Sequence, residues 1–356
     1  MGVLLFLLLP TSAVLSVFAP AAAQAGVAAT PASTASGSTT PASSGASSST
    51  PAAARPAVPA ARYGVGQETL NLVDTSRGTP ANGSAPASPS RTLTTWVLYP
   101  STVAPSAQPV ANAPPASAGK PYPLIVFAHG LDSEGFIYDP LLEQWVEQGY
   151  VVVAPTFPLS NIAAPGGDTG KDLANQPGDM SYVLGQVLTL SQQPGNLLTG
   201  MVDPARVAGV GHSLGAMTVL AWTENTCCRD PRVKAAVIID GTETKFGNGS
   251  FFKGKTTPIL VLHGTADTTI PYAAGKKIYA DAKAPKFFVS LLGAPHVSFE
   301  QLALSASKPP KWENVDVDSV LDFLNDELNH SPTALGQLAV VGNERRLSRF
   351  EKSTSS

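Results

Sequence analysis

The sequence predicts an α/β fold with a mostly parallel central sheet and helices on both faces. Short runs that are nearly all apolar and β-branched recur along the chain, as expected for strands that are buried on both faces. Helical patterns alternate with these runs, which is the order that a parallel sheet requires. The apolar content of 43% in 356 residues is sufficient for a substantial core, so the chain as a whole is not disordered.

The predicted elements follow one another in a regular order. The strand-like runs are 68–73, 93–99, 124–128, 150–154, 207–210, 235–239, 258–262 and 287–292. The helical patterns are 140–148, 179–190, 214–223, 272–282 and 315–328. Residues 100–120 are rich in Pro, Ala and Ser, and they predict a surface insertion between the second and third strands.

Both ends of the chain differ in composition from its middle. Residues 1–23 carry apolar runs followed by Ala21, Ala22 and Ala23, which predicts a secretory signal peptide. Because this segment has no Lys or Arg, a short membrane anchor or a misassigned start is the alternative. Residues 24–62 contain almost only Ala, Ser, Thr, Pro and Gly, so we expect a disordered linker.

The composition also sets the expected end of the folded part and its location. Residues 331–356 are mildly basic, and we expect a flexible C-terminal tail. The folded domain is then expected over residues 63–330. A signal peptide would place the protein outside the cell or in the cell envelope.

Charge and cysteine content exclude several classes of function. The formal net charge of -3 gives no general attraction to nucleic acid or anionic lipid, so we expect no nucleic-acid partner and no stable membrane insertion. Cys227 and Cys228 are the only cysteines, and they form either a vicinal disulfide or a thiol pair without catalytic function. Asp168, Asp172 and Asp179 resemble calcium ligands, but their irregular spacing favours caps and loop residues. We expect no metal site.

One motif after a predicted strand carries a specific chemistry. Gly211, His212, Ser213, Leu214 and Gly215 follow the run 207–210 directly and precede a helical pattern. A G-x-S-x-G sequence between a strand and a helix is the pattern of a nucleophile elbow, in which side chains at the two glycines would clash with the backbone. The motif therefore predicts a nucleophilic serine, and a plain glycine-rich turn is the alternative.

A serine nucleophile needs a histidine base and an acid that orients this base. His296 lies in the loop directly after the last predicted strand, so we predict it as the base. The other histidines fit less well. His212 lies within the elbow, and we expect its side chain to point away from the hydroxyl. His129 and His263 precede glycines at strand ends, and His330 ends the last predicted helix.

Two aspartates fit the chain order Ser, Asp, His that such an elbow requires. Asp267 lies in the loop after the run 258–262, and this loop is closed by Pro271. Asp240 follows the run 235–239, where an aspartate can also serve as a turn or cap residue. We favour Asp267 as the acid, and Asp240 is the alternative acid.

The oxyanion that forms on the substrate needs backbone N–H donors. We predict one donor in Leu214, directly after the nucleophile. The second is Leu131, because its loop follows the third predicted strand and contains the pair His129 and Gly130.

From residue 63 to residue 328, the chain resembles the α/β-hydrolase superfamily, in its secreted serine esterase and lipase branch. Residues 66–77 and 91–100 are similar to the first strands of platelet-activating-factor acetylhydrolases. Residues 123–130, 211–215, 264–271 and 295–296 are similar to motifs of the wider superfamily, which includes dienelactone hydrolases, chlorophyllases and polyester hydrolases. Dienelactone hydrolases have a cysteine at the position of Ser213. In the acetylhydrolases, the acid matches the position of Asp240.

The resemblance implies a monomeric serine hydrolase that cleaves carboxylic esters of small molecules or lipids through an acyl-enzyme and needs no cofactor. An acetylhydrolase or a polyester hydrolase of the same fold is an alternative. A peptidase is disfavoured, because the sequence shows no propeller or large cap domain to select peptides. An alternative from another class is a catalytically silent α/β-hydrolase that acts as a binding module.

Overall fold

The computed structural model describes residues 62–105, 108–299 and 311–354. The predicted signal peptide, and all of the predicted linker except residue 62, lie outside these residues. In the described part, ten strands form one sheet in the order β10-β9-β8-β7-β6-β4-β5-β2-β1-β3. The strands are β1 Gly64–Asp74, β2 Arg91–Ser101, β3 Val110–Ala111, β4 Tyr122–Ala128, β5 Val151–Pro155, β6 Val202–His212, β7 Ala235–Ile239, β8 Ile259–Gly264, β9 Lys286–Leu291 and β10 Ser348–Ser353.

The centre of the sheet is parallel and its edges are mostly antiparallel. Strands β5, β4, β6, β7, β8 and β9 pair in parallel with their neighbours, whereas β1 and β2 on one side and β10 on the other pair antiparallel. Every residue of β4, β5, β7 and β8 is buried, as a sheet covered on both faces requires. The predicted α/β class with a mostly parallel sheet is confirmed.

Helices cover both faces of the sheet. They are α1 Asp139–Glu147, α2 Gln176–Gln192, α3 Leu214–Glu224, α4 Tyr272–Asp281, α5 Glu313–Glu327 and α6 Ala334–Val341, with two short 3-10 helices at Gly135–Tyr138 and Gly170–Asn175. Ile125 and Phe127 of β4 pack in one core cluster with α1 and α5, whereas Leu124 and Val126 pack in a second cluster with α2 and α3. Each such buried side chain stabilises the fold by about 1.5–3 kcal/mol.

The structure differs from the expected C-terminal tail. Residues 334–353 contain α6 and β10, and β10 pairs antiparallel with β9 at the edge of the sheet. Leu338 and Val341 of α6 are buried in the core, and the Phe350 ring stacks on Phe287 with ring centroids 6.3 Å apart. The expectation of a flexible tail is therefore wrong for these residues, because the apolar side chains of α6 and Phe350 of β10 anchor the segment to the core.

Two further features concern predictions made from composition. Cys227 and Cys228 are joined by a disulfide in the turn after α3, which is one of the two states that the sequence left open. Among the described residues, none of the helices combines the length and apolar character needed to cross a membrane.

Candidate active site

Ser213 lies at a strained turn between β6 and α3. Its backbone dihedrals are φ 55° and ψ -119°, a conformation that a residue with a side chain rarely adopts. The Ser213 amide donates a hydrogen bond to the Ile239 carbonyl at 2.9 Å, which ties the turn to the end of β7. Strain of this kind is characteristic of a nucleophile elbow.

The two glycines of the motif are required by close backbone contacts. A Cβ atom on Gly215 would collide with the carbonyl oxygen of Ala128, and one on Gly211 would collide with the carbonyl oxygen of Gly215. A Cβ atom on Gly130 would lie 3.5 Å from Cβ of Ser213. The loop after β4 therefore packs directly against the elbow.

The structure brings Ser213, His296 and Asp267 together at the carboxyl edge of the sheet. Ser213 Oγ lies 2.8 Å from His296 Nε2, and His296 Nδ1 lies 2.7 Å from Asp267 Oδ2. The three side chains follow β6, β9 and β8, and these parallel strands end at the same edge. The carboxylate can accept the Nδ1 hydrogen, which leaves Nε2 free to accept the serine proton.

The Asp267 carboxylate is held by its own loop. Its Oδ1 accepts hydrogen bonds from the amides of Thr269 and Ile270, each at 2.8 Å. His263 Nε2 lies 3.4 Å from Oδ2 of the same carboxylate. These contacts fix the carboxylate where it meets the His296 ring.

Asp240, the alternative acid, lies nearby but has different partners. Its Oδ1 accepts a hydrogen bond from the Gly264 amide at 2.8 Å, and Oδ2 has no hydrogen-bond partner among the described residues. One Asp240 oxygen and nitrogens of His212 and His296 lie within 4.8 Å of one another. Burial raises the pKa of Asp240 well above its ordinary value. In this arrangement, Asp240 supports the end of β8, and His296 bonds to Asp267.

Three other histidines are buried and have backbone or hydroxyl partners. His129 Nδ1 donates to the Gly130 carbonyl at 2.7 Å, and His263 Nε2 donates to the Ile270 carbonyl at 2.9 Å. His212 contacts a tyrosine hydroxyl and the main chain of His296. Burial lowers the pKa of His263, that of His129 to about 4 and that of His212 to about 3. Burial therefore makes it costly to protonate these rings, and they are unsuited to accept the proton of the serine.

An ion-pair network that the sequence did not suggest anchors the loop after β5. Arg91 is fully buried, with Nε 2.7 Å from Asp179 Oδ1 and Nη2 2.7 Å from Asp172 Oδ2. The two aspartates that resembled calcium ligands are therefore partners of this arginine. They hold the 3-10 helix Gly170–Asn175 and the start of α2.

A buried glutamine connects this loop to the elbow. Gln176 donates to Ser160 Oγ at 2.9 Å and accepts a hydrogen bond from Thr218 Oγ1 of α3. The Ser160 carbonyl accepts a hydrogen bond from the Asp132 amide at 2.9 Å. Side-chain and backbone contacts thus join the loops after β4 and β5 to the helix that begins behind the serine.

The two predicted oxyanion donors lie on backbone beside the serine. Leu214 is the first residue of α3. Leu131 follows Gly130, which packs against the elbow, and its side chain is exposed. Their function as donors remains a prediction.

Comparisons with known proteins agree with this architecture. A family model described as chlorophyllase matches residues 90–249. The uncharacterized protein YfhR of Salmonella typhi is 26% identical over 154 residues, which are 36% of this chain and 50% of the relative. The YfhR protein of Salmonella typhimurium is 27% identical over 154 residues with the same coverage. The chain thus spans half the length of the curated relatives that it matches.

A solved structure shares the fold. The ferulic acid esterase from Streptomyces cinnamoneus superposes with a TM-score of 0.60 at 23% sequence identity, covering 78% of this chain and 94% of the esterase. The sheet order, the family-model match and this superposition agree with the predicted resemblance and show that the chain has the α/β-hydrolase fold.

Proposed function

We propose that the chain is a serine hydrolase that cleaves carboxylic esters through an acyl-enzyme intermediate. The observation that supports this proposal best is the line of hydrogen bonds from Ser213 Oγ to His296 Nε2 at 2.8 Å and from His296 Nδ1 to Asp267 Oδ2 at 2.7 Å. The serine sits in a strained turn at the carboxyl edge of the sheet and is only partly buried, which suits a nucleophile.

The proposed reaction has two steps. In the first, Ser213 Oγ attacks the ester carbonyl carbon while His296 Nε2 takes the hydroxyl proton, and the amides of Leu214 and Leu131 stabilise the oxyanion. The bond to the alcohol then breaks, and the imidazolium returns its proton to the leaving oxygen. In the second step, a water molecule gives a proton to His296 Nε2 and attacks the acyl carbon. The bond from this carbon to Ser213 Oγ breaks, the imidazolium returns the proton to Oγ, and the carboxylic acid leaves.

Asp267 stabilises the imidazolium that forms in both steps. Two backbone amides bind its Oδ1, so the carboxylate keeps its place when the charge on His296 appears. The preorganised carboxylate favours the charged transition state over the neutral ground state, which is how a triad acid accelerates the reaction.

The comparisons favour an ester over a peptide as substrate. The superposed structure is a ferulic acid esterase, and the matching family model is described as chlorophyllase. We extend this chemistry to the present chain as the cleavage of small-molecule or lipid esters. Secretion, expected from residues 1–23, and a monomeric state remain predictions from the sequence.

Labelling with a fluorophosphonate probe tests the proposal, because only an activated serine reacts with it. We expect the wild-type protein to be labelled and to hydrolyse aryl esters, whereas Ser213→Ala loses both properties and still unfolds cooperatively. Ser250→Ala is the matched control, since Ser250 is exposed and its backbone pairs with Thr226; it should keep both properties. Turnover by pure Ser213→Ala protein would contradict the mechanism, and an unlabelled wild-type protein would favour a binding module.

A further inference from the structure

His212 connects two loops that meet at the proposed site. Its Nε2 lies 3.1 Å from the main-chain oxygen of His296, and its Nδ1 lies 3.0 Å from Tyr138 Oη. Tyr138 Oη in turn accepts a hydrogen bond from the Gly130 amide at 3.3 Å. Because His212 directly precedes Ser213, a continuous chain of hydrogen bonds runs from the loop after β4, past the serine, to the main chain of the proposed base.

The partners of the His212 ring fix the position of its proton. A main-chain carbonyl oxygen can only accept, so Nε2 carries the hydrogen that bonds to His296. Burial, with the nearby His296, lowers the pKa of His212 to about 3, so the neutral ring has one N–H group. Nδ1 is therefore an acceptor, and Tyr138 donates its hydroxyl hydrogen to it.

Aromatic packing surrounds the same ring. The centroid of Phe299 lies 5.7 Å from that of His212, and the centroid of Tyr138 lies 5.9 Å away. Packing of this kind excludes water and holds the loop near the elbow, but apolar contact is non-directional. A hydrogen bond adds a preferred direction and distance, so it can fix the position of the His296 main chain relative to Ser213.

We propose that His212 is a positioning residue for the reaction. Its Nε2–H group fixes the main chain of His296 and thereby the distance from the imidazole to Ser213. Through Tyr138 it links this position to the loop that carries the predicted oxyanion donor Leu131. The inference rests on the proposed function, because it takes His296 as the base.

Two substitutions of His212 separate the hydrogen bond from the packing. His212→Phe keeps an aromatic ring in the cluster but removes both polar contacts, and we expect kcat to fall by about 10-fold to 100-fold with KM nearly unchanged, because a displaced base slows the reaction. His212→Gln carries an amide N–H group that can reach the His296 carbonyl. It should recover most of the lost kcat, whereas a purely apolar function of the ring predicts no such rescue.

Two tyrosine variants test the hydrogen bonds that join His212 to the loop after β4. Tyr138→Phe removes the hydroxyl that bonds to His212, and we expect kcat to fall by about threefold to tenfold, as for the loss of one hydrogen bond. Tyr150→Phe is the matched control, since Tyr150 is buried and its hydroxyl donates to Asn325 at 2.9 Å, at the opposite edge of the sheet. It should leave kcat unchanged.

The proton assignment can be measured without any reaction. Proton–nitrogen correlation spectra of 15N-histidine-labelled protein should show a neutral His212 ring protonated on Nε2, assigned by the loss of its signals in His212→Gln. A proton on Nδ1 would overturn the proposal. An unchanged kcat in folded His212→Phe would do so too, as would a glutamine variant no more active than the phenylalanine variant.

Failure of the proposed function would look different from failure of this inference. A wild-type protein without esterase activity would contradict the proposed function, but the His212 spectra would still report the hydrogen bond to His296. If His212→Phe fails to unfold cooperatively, two other results test the positioning function of His212. They are the kcat of Tyr138→Phe relative to Tyr150→Phe and the histidine spectra. Equal kcat in these two tyrosine variants would contradict the link to the loop after β4.

Discussion

Two carboxyl groups follow neighbouring parallel strands, yet their surroundings differ. Asp267, after β8, receives two amide hydrogen bonds on Oδ1 and the His296 ring on Oδ2. Asp240, after β7, receives one amide hydrogen bond on Oδ1, and its Oδ2 has no partner among the described residues. Asp316 of α5 is a third buried acid. Among the described residues, neither of its carboxyl oxygens has a hydrogen-bond partner.

The difference shows that position at a strand end does not define a triad acid. A buried carboxylate is stabilised as an anion only where donors supply what water would have supplied. Asp267 has such donors. Burial raises the pKa of Asp240 well above its ordinary value, and burial does the same for Asp316. These two groups are suited to remain neutral acids.

The largest effect that tests this comparison is expected at Asp267. Asp267→Asn keeps the shape of the side chain but removes the charge that stabilises the imidazolium. We expect kcat on a soluble aryl ester to fall by on the order of 10³ to 10⁴ with a modest change in KM, as for an interaction made chiefly in the transition state. Steady-state kinetics over a range of ester concentrations measure both quantities.

A loss of less than about tenfold at Asp267 would contradict its function as the triad acid. The chain would then be nearer to the acetylhydrolase pattern, in which the acid matches Asp240. Large losses at both aspartates would instead indicate that one carboxylate orients His296 and the other supports its loop. Thermal unfolding of each variant checks that the fold is kept.

A second effect concerns Asp316 and the way in which the free energy of unfolding depends on pH. Because the folded protein keeps a proton on Asp316 above the ordinary pKa of an aspartate, its unfolding free energy decreases as the pH rises through that window. Asp316→Asn removes this dependence. The stability of the variant relative to the wild type should therefore increase from pH 4 upward, by at most about 1.4 kcal/mol per pH unit.

Asp203→Asn is a control with the opposite sign. Burial would raise the pKa of Asp203, but hydrogen bonds from Arg206 and the Ala205 amide outweigh it and lower this pKa. The folded state thus favours the ionised form, and the stability that it contributes is lost as the pH falls through the lowered pKa. Denaturant titrations at several pH values measure both variants. A stability difference between Asp316→Asn and wild type that stays constant with pH would contradict the neutral assignment.

The sequence identified Ser213 and His296 as candidates because their signals are local. A G-x-S-x-G motif at a strand end and a histidine after the last parallel strand can be located without knowing the packing. The sequence does not separate Asp267 from Asp240 in the same way, since the two residues follow adjacent strands and satisfy the same chain order. Only the donors around each carboxylate distinguish them, and these come from the three-dimensional arrangement of the loops.

Other contacts had no local signal. The partners of His212 are 74 and 84 residues away in the chain, and the aspartates bound to Arg91 are 81 and 88 residues away. Strand β10 was missed for a different reason. Phe350 is its single large apolar residue, because an edge strand in contact with water needs few apolar residues.

The smallest effect is expected at Asp240. Asp240→Asn keeps an oxygen that can accept the Gly264 amide, and the amide group matches a protonated carboxyl in both shape and charge. We therefore expect kcat to fall by less than about tenfold, through local distortion alone. Kinetics on the same aryl ester, side by side with Asp267→Asn, measure the contrast. Asp240→Ala tests the hydrogen bond itself. This variant loses the acceptor of the Gly264 amide and should be less active and less stable than Asp240→Asn. Equal behaviour of the two Asp240 variants would show that the hydrogen bond to β8 does not hold the site together.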